Sequence, residues 1–143
     1  MAALKRIFIS FDYDHDRRYR YLLSALSENS GSQIEFEDLT PEEIQSDNVD
    51  RIKAALSGRI TRSTHTLVVI GKHANTQHSQ HAKIGTRNWQ WWEIEKTKEK
   101  ELSRFIAVKI ERGNESPQPL FGAGATWANA FRVDSILQAI NSA

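Results

Sequence analysis

The residues best suited to chemistry stand in the stretch NWQWWEIEK, where three of the four tryptophans of the chain directly precede one glutamate, Glu93. Residues four apart on a helix share a face, so Trp89 and Glu93 are expected side by side. Trp89 or Trp92 could then form a flat wall beside the carboxylate. One preorganised carboxylate in such a setting can stabilise a positive charge that develops on a bound substrate.

A second interpretation of the same stretch is purely structural. Aromatic residues at helical spacing usually pack a helix against its neighbours. Trp91 and Ile94 point away from Glu93 and are expected in the core. If all three tryptophans pack the helix on the rest of the protein, Glu93 is a solvated surface acid. The spacing alone leaves both interpretations open.

The composition is that of an ordinary globular protein. With 143 residues, 39% hydrophobic and 26% charged, the chain is expected to form one domain over residues 1–143. The net charge of +1 and the scattered basic residues argue against nucleic-acid binding. The absence of cysteine excludes disulfides and thiolate chemistry, and it favours a cytoplasmic location. The apolar run near the N-terminus is too short for a signal or membrane segment.

Short apolar runs alternate with helical patterns along the chain, and residues 111–132 follow neither pattern. The alternating run at 33–37 is typical of an edge strand, and the strongly apolar run at 65–71 of a central one. The predicted strands are 6–11, 33–37, 65–71 and 105–110, and the predicted helices begin near residues 16, 47, 89 and 133.

This alternation predicts an α/β fold, a flavodoxin-like three-layer sandwich with a parallel sheet of about five strands in the order 2-1-3-4-5. In such a sheet, ligands bind outside the carboxyl ends of the strands, where the winding reverses between strands 1 and 3. The acidic segment DYDHD follows strand 1, and the tryptophan helix follows strand 3. Both should meet at this crevice, which places Glu93 where the fold binds ligands.

Four segments resemble the TIR-like family of bacterial single-domain proteins. They are FISFDYDHDRR (8–18), FEDL (36–39), LVVIGKHA (67–74) and WQWWEIEK (89–96). The resemblance spans roughly residues 5 to 112. It includes a tryptophan, an aromatic residue and the pair Glu-Ile at the opening of the third helix, after a strand that ends in a Val-Val-Ile-Gly-like run.

The resemblance implies an activity. TIR-like proteins of Thoeris-type antiphage defence cleave NAD at the nicotinamide–ribose bond and release nicotinamide with a cyclised or conjugated ADP-ribose. This product activates a partner effector protein, and the family also self-associates, which implies a homo-oligomer. NAD is a substrate in this reaction, and no cofactor is expected. The essential glutamate of the family stands four residues after the tryptophan that opens the third helix, a position held here by Glu93.

The resemblance also implies which residues contact the substrate, because the segments after strands 1 and 2 match those that line the substrate cleft of the family. One departure is the loop at 72–87, which is longer than the family pattern needs. The expected substrate-binding residues are Ser10, Phe11, Asp12, Tyr13, Asp38, Leu39, Trp89 and Trp92.

The chemistry is consistent with a single carboxylate. The nicotinamide of NAD is a cationic pyridinium and departs as a neutral molecule, so no general acid is needed. Ordinary glycosidases need two carboxylates because their leaving group must be protonated. The chain has no G-x-G-x-x-G after strand 1, which disfavours a dinucleotide bound as a hydride carrier.

Two other functions remain open. A TIR-like interaction module would use the same fold for homotypic assembly without catalysis. A nucleoside deoxyribosyltransferase-like enzyme would also set a glutamate against a glycosidic bond in a related sheet. NAD turnover, assembly without NAD loss, and turnover of deoxynucleosides distinguish the three.

Two further motifs are set aside. The histidines His73, His78 and His81 share one loop, but no cysteine or nearby acid completes a metal site, and none is expected. DYDHD resembles the acidic cluster of a phospho-receiver domain. That chemistry needs an aspartate at the end of strand 3, where this chain has Gly71 and Lys72.

Overall fold

The fold is organised around a sheet of five parallel strands in the order β2-β1-β3-β4-β5. The computed structural model describes residues 4–12, 20–29, 31, 33–37, 48–100 and 104–143. The strands are β1 (Lys5–Ser10), β2 (Ile34–Glu37), β3 (His65–Ile70), β4 (Arg104–Lys109) and β5 (Thr126–Trp127). The predicted flavodoxin-like strand order is confirmed, with β2 at an edge and β3 in the centre.

Helices cover both faces of the sheet and give it three layers. The helices are α1 (Arg20–Asn29), α2 (Val49–Arg62), α3 (His81–Ile84), α4 (Trp89–Lys98) and α5 (Val133–Ser142). All six residues of β3 are buried. Its alternate side chains Leu67 and Val69 pack with α1 and α5, whereas Val68 and Ile70 pack with the layer that contains α4. A strand covered on both faces has a continuous apolar sequence, and this is why β3 could be predicted.

Lys100, just beyond the end of α4, fixes the end of the neighbouring helix α2. The last carbonyl groups of a helix have no partner within it and need donors from elsewhere. The ammonium group of Lys100 donates to the carbonyl oxygens of Ile60 at 2.7 Å and Thr61 at 3.2 Å, and also to that of Ser63. This side chain therefore links the two helices that lie on the same face of the sheet.

Some parts of the chain differ from the prediction. The segment at 72–87, predicted as a polar loop, contains the short helix α3 and buries Ala74 and Ile84. The unassigned segment 111–132 contains a 3₁₀ turn at Gln118–Leu120 and the two-residue strand β5. The predicted helix start near residue 16 lies outside the described residues. In the described part of the chain, no helix is both long and apolar enough to cross a bilayer.

Replacing Lys100 with methionine should lower the free energy of unfolding by about 2 kcal/mol, because three carbonyl groups lose a charged donor while the aliphatic stem is kept. Urea unfolding at neutral pH measures the loss. Lys98→Met is the matched control, since Lys98 donates to one exposed carbonyl, that of Pro119. Equal losses in the two variants would contradict the role given to Lys100.

Candidate active site

Asn88 fixes the start of helix α4 through both ends of its side-chain amide. Its Oδ1 accepts a hydrogen bond from the backbone N–H of Trp91 at 2.9 Å, which caps the helix. Its Nδ2 donates to the carbonyl oxygens of Ala74 and Thr76, both at 2.9 Å. The first turn of α4 is therefore tied to the segment that follows β3.

Glu93 lies in the second turn of α4 and is buried, with only 4% of its surface exposed. The hydroxyl of Ser10, the last residue of β1, donates to Glu93 Oε1 at 2.7 Å. Ser10 itself is fully buried. The structure thus brings together two of the predicted site residues at the carboxyl end of β1. The alternative interpretation of Glu93 as a solvated surface acid is wrong.

Burial changes the acidity of Glu93. Desolvation disfavours the charged form and raises the pKa of the carboxyl from its ordinary value of 4.5 to about 8, although the hydrogen bond from Ser10 acts in the opposite direction. At neutral pH, the carboxyl therefore holds a proton in most molecules of the free protein. A positive charge placed beside it would favour the carboxylate.

Gln90, one turn before Glu93 on α4, joins the two strands at which the winding of the sheet reverses. Its side-chain Nε2 donates to the carbonyl oxygen of Ser10 at 3.1 Å and to that of Val69 at 2.8 Å. The side chain is 3% exposed, and its Oε1 is buried without a hydrogen-bond partner among the described residues. Gln90 was not among the predicted site residues. Its position three residues before Glu93 was the available signal, since residues at that spacing share a helix face.

Trp89 and Trp92 form an edge-to-face pair, with ring centroids 5.8 Å apart. Both pack against the cluster formed by Phe8, Ile52, Leu56 and Ile60. Phe8 and Ser10 are two residues apart on β1 and so point to the same face of the sheet. The two indoles therefore pack on the same side of β1 as the Glu93–Ser10 pair, and they contact α2.

Trp91 does not lie in the core, so that prediction is wrong. Its indole N–H donates to Asn75 Oδ1 at 2.9 Å, and the guanidinium of Arg87 lies 5.4 Å from its ring centroid. These polar partners keep the ring half-exposed at the surface. Ile94 is fully buried, as predicted.

The remaining predicted residues are placed differently. Phe11 packs against the core cluster shared by α1 and α5, on the opposite face of the sheet from Ser10. Asp12 is half-buried. Tyr13, Asp38 and Leu39 lie outside the described residues. In the part of the chain that the structure describes, no three histidine or acidic side chains form a group that could hold a metal ion.

Comparisons with known proteins indicate the family and the fold. The family model described as "Thoeris protein ThsB, TIR-like domain" matches residues 8–115, more than half of the chain. A prokaryotic SEFIR domain is similar in structure, with 16% sequence identity, a TM-score of 0.59 and 96% of each chain covered. None of the curated proteins matches the sequence.

Two further solved structures share the fold. A conserved protein from Enterococcus faecalis V583 has 10% identity and a TM-score of 0.63, over 98% of this chain and 99% of that one. The CMP N-glycosidase BcmB of Clostridium botulinum has 15% identity and a TM-score of 0.52, over 96% of this chain and 98% of that one. At these identities the likeness shows the fold alone.

The raised pKa of Glu93 predicts how stability changes with pH. Between pH 4.5 and about 8, the folded protein holds a proton that the unfolded chain has released, so the stability falls as pH rises across this window. The slope is at most about 1.4 kcal/mol per pH unit. Glu93→Gln removes this dependence and keeps an acceptor for Ser10. The variant should match the wild type near pH 5 and exceed it by on the order of 3 to 4 kcal/mol at pH 8.

Urea unfolding at both pH values measures the difference. Glu95→Gln is the matched control, because it makes the same change at an exposed position of the same helix. A stability gap for Glu93→Gln that is the same at pH 5 and pH 8 would contradict the buried, protonated carboxyl.

Proposed function

The chain belongs to the family of TIR-like domains of the Thoeris protein ThsB, and we propose that it cleaves NAD at the nicotinamide–ribose bond with Glu93 as the catalytic carboxylate. The observation that carries the proposal is the buried hydrogen-bonded pair formed by Glu93 and Ser10 at the carboxyl end of β1. Open α/β folds bind their ligands outside these carboxyl ends of the strands.

The proposed reaction needs only one carboxylate. The bond between ribose C1′ and the pyridinium nitrogen breaks, and its electron pair neutralises the ring, so nicotinamide leaves uncharged. The positive charge passes to the ribose as an oxocarbenium ion, which the Glu93 carboxylate stabilises. A nucleophile, which is water, a group of the substrate itself or a second molecule, then bonds to C1′ and releases its proton to Glu93 or to solvent.

The acidity of Glu93 favours this kind of substrate. A carboxyl with a pKa of about 8 is mostly neutral in the empty site, and a bound pyridinium favours its ionisation. The buried carboxylate is then stabilised by the cation. As the bond breaks, the positive charge moves to the ribose, and the attraction to the nearby carboxylate is strongest when that charge is closest. Interactions that strengthen in the transition state accelerate the reaction.

A protein of the same fold supports the reaction class. The Clostridium botulinum protein is named as an N-glycosidase of CMP, and the nicotinamide–ribose bond of NAD is also N-glycosidic. The fold therefore accommodates the cleavage of this class of bond in a nucleotide. The proposal further includes substrate contacts from Asp12, Tyr13, Asp38 and Leu39, for which family resemblance is the support.

Membership in the family also supports a proposed biological role, which is signalling in antiphage defence. The product, a cyclic or conjugated ADP-ribose, would act as a signal in antiphage defence and activate a separate effector protein. Cytoplasmic NAD would be the substrate, and homo-oligomerisation would accompany activity. Membership in the Thoeris family supports these points.

Glu93→Gln should lower the turnover of NAD by roughly 100- to 1,000-fold or more, because the amide cannot stabilise the ribosyl cation. Chromatography of released nicotinamide, with mass analysis of the second product, measures it across a range of protein concentrations and with lysate of phage-infected cells. Glu95→Gln, at an exposed position of the same helix, should retain wild-type turnover. Equal turnover by wild type and Glu93→Gln would refute the mechanism. Assembly without NAD loss under every condition would favour the interaction module.

The kcat/KM for NAD should rise with pH up to about 8 and level off above it, since only the ionised carboxyl of the free protein is active. Below the pKa, the rate should increase nearly tenfold per pH unit. Initial rates between pH 6 and pH 9 give the profile. In Ser10→Ala the midpoint should move to higher pH, because the hydroxyl that lowers the pKa is lost. A profile that is flat or falls over this range would contradict the assignment.

A further inference from the structure

A cavity of about 440 Å³ lies at the carboxyl ends of β4 and β5. Strand β3 separates these strands from β1, which carries Ser10. We propose that this cavity is a second ligand site and that it binds an anionic nucleotide, with the base against Trp127 and the phosphates at Lys109 and Arg112. The proposed cleavage at Glu93 uses none of these three residues.

The size and position of the cavity are those of a small-molecule site. Ligand pockets usually enclose about 300 to 1,000 Å³, and this cavity falls within that range. The cavity also lies at the carboxyl ends of the strands, where α/β folds bind ligands. The volume therefore suits a mononucleotide or dinucleotide.

Trp127 supplies a surface for a base. It is the last residue of β5, and 46% of its surface is exposed although it lines the cavity. An indole exposed at a cavity wall can stack on the flat face of any nucleobase, because stacking does not depend on the hydrogen-bond donors and acceptors of the base. Exposure of so large an apolar ring is otherwise unfavourable in water.

Two cations supply the charge for phosphate groups. The Lys109 ammonium lies 6.0 Å from the centroid of the Trp127 ring, so a positive charge and the proposed stacking surface are adjacent. Arg112 is exposed at the same cavity. Within the described residues, neither side chain forms an ion pair with a carboxylate. The residues that line the cavity include no acidic side chain.

The neutral polar residues that line the cavity could contact the sugar of a nucleotide. Ser116 and Asn129 line the same cavity and offer a hydroxyl and an amide, groups that can bond to sugar hydroxyls. Arginine binds phosphate through paired N–H donors, whereas lysine acts as a point charge. An aromatic surface, two cations that have no carboxylate partner among the described residues, and two neutral polar groups together favour a nucleotide over an uncharged metabolite or an acidic peptide.

Isothermal titration calorimetry with ADP tests the proposal. We expect saturable binding to the wild type, weakened at least tenfold in Trp127→Ala and in the double variant Lys109→Gln/Arg112→Gln. The matched control Arg51→Gln/Lys53→Gln also removes two positive charges, but from helix α2, and this variant should bind ADP as the wild type does. Circular dichroism checks the fold of each variant. The double variant alters only cavity-wall side chains that form no hydrogen bond with the described protein, so it should fold even if Trp127→Ala does not.

Three results would overturn the proposal. ADP that does not saturate the wild type excludes the site. Pyrophosphate that binds as tightly as ADP, with no effect of Trp127→Ala, reduces it to a general anion site. An ADP affinity that changes in Ser10→Ala and not in the cavity variants places the nucleotide at the proposed catalytic site. Because NAD cleavage is not measured, failure here leaves the proposed function untouched, and the reverse also holds.

Discussion

A carboxyl group removed from water must either hold a proton or lie against a positive charge, and the arrangement around Glu93 follows from this constraint. Among the described residues, its side chain is paired only with the neutral hydroxyl of Ser10. The empty site therefore favours the neutral acid, and burial raises the pKa to about 8. A cation bound beside Glu93 would favour the carboxylate, because its positive charge would offset the cost of burying the negative one.

The same constraint explains why the surroundings of Glu93 are well anchored. A buried acid is useful to catalysis only if its oxygens stay where the charge forms, since preorganisation spares the cost of reorienting groups during the reaction. Asn88 ties the start of α4 to the segment after β3, and Gln90 ties its first turn to β1 and β3. The hydroxyl of Thr97 donates to the carbonyl oxygen of Glu93 at 2.8 Å and supports the following turn.

The sequence predicts the sheet well because burial on both faces produces unbroken apolar runs. The run at 65–71 marks the central strand β3, and the position of Glu93 follows from the rule that ligands bind where the winding reverses. The pairing of Glu93 with Ser10 joins residues 83 positions apart. Local spacing carries no information on such a contact. The fold rule and the family resemblance placed both residues at one crevice, but neither predicted the hydrogen bond between them.

The failures have equally specific causes. Phe11 is expected at the substrate cleft from the family resemblance, and the structure packs its side chain on the face opposite Ser10, as strand alternation requires. Trp91 was assigned to the core because it points away from Glu93 and aromatic residues at helical spacing usually pack against neighbours, but its indole N–H donates to Asn75 at the surface. The segment 111–132 could not be assigned because a 3₁₀ turn and a strand of two residues are too short to show a period. The cavity at the ends of β4 and β5 therefore had no signal in the sequence.

The amide of Gln90 has a consequence for how this protein can change over generations. The side chain of Gln90 holds helix α4 directly to the backbone of two neighbouring strands. The position of Glu93, one turn later on α4, is therefore fixed by the sheet and not by the surrounding loops. If the proposed reaction holds, connecting segments around the crevice could change to select other nucleotides or other acceptors of the sugar while Glu93 keeps its position. New specificities can arise on this framework without rebuilding its chemistry.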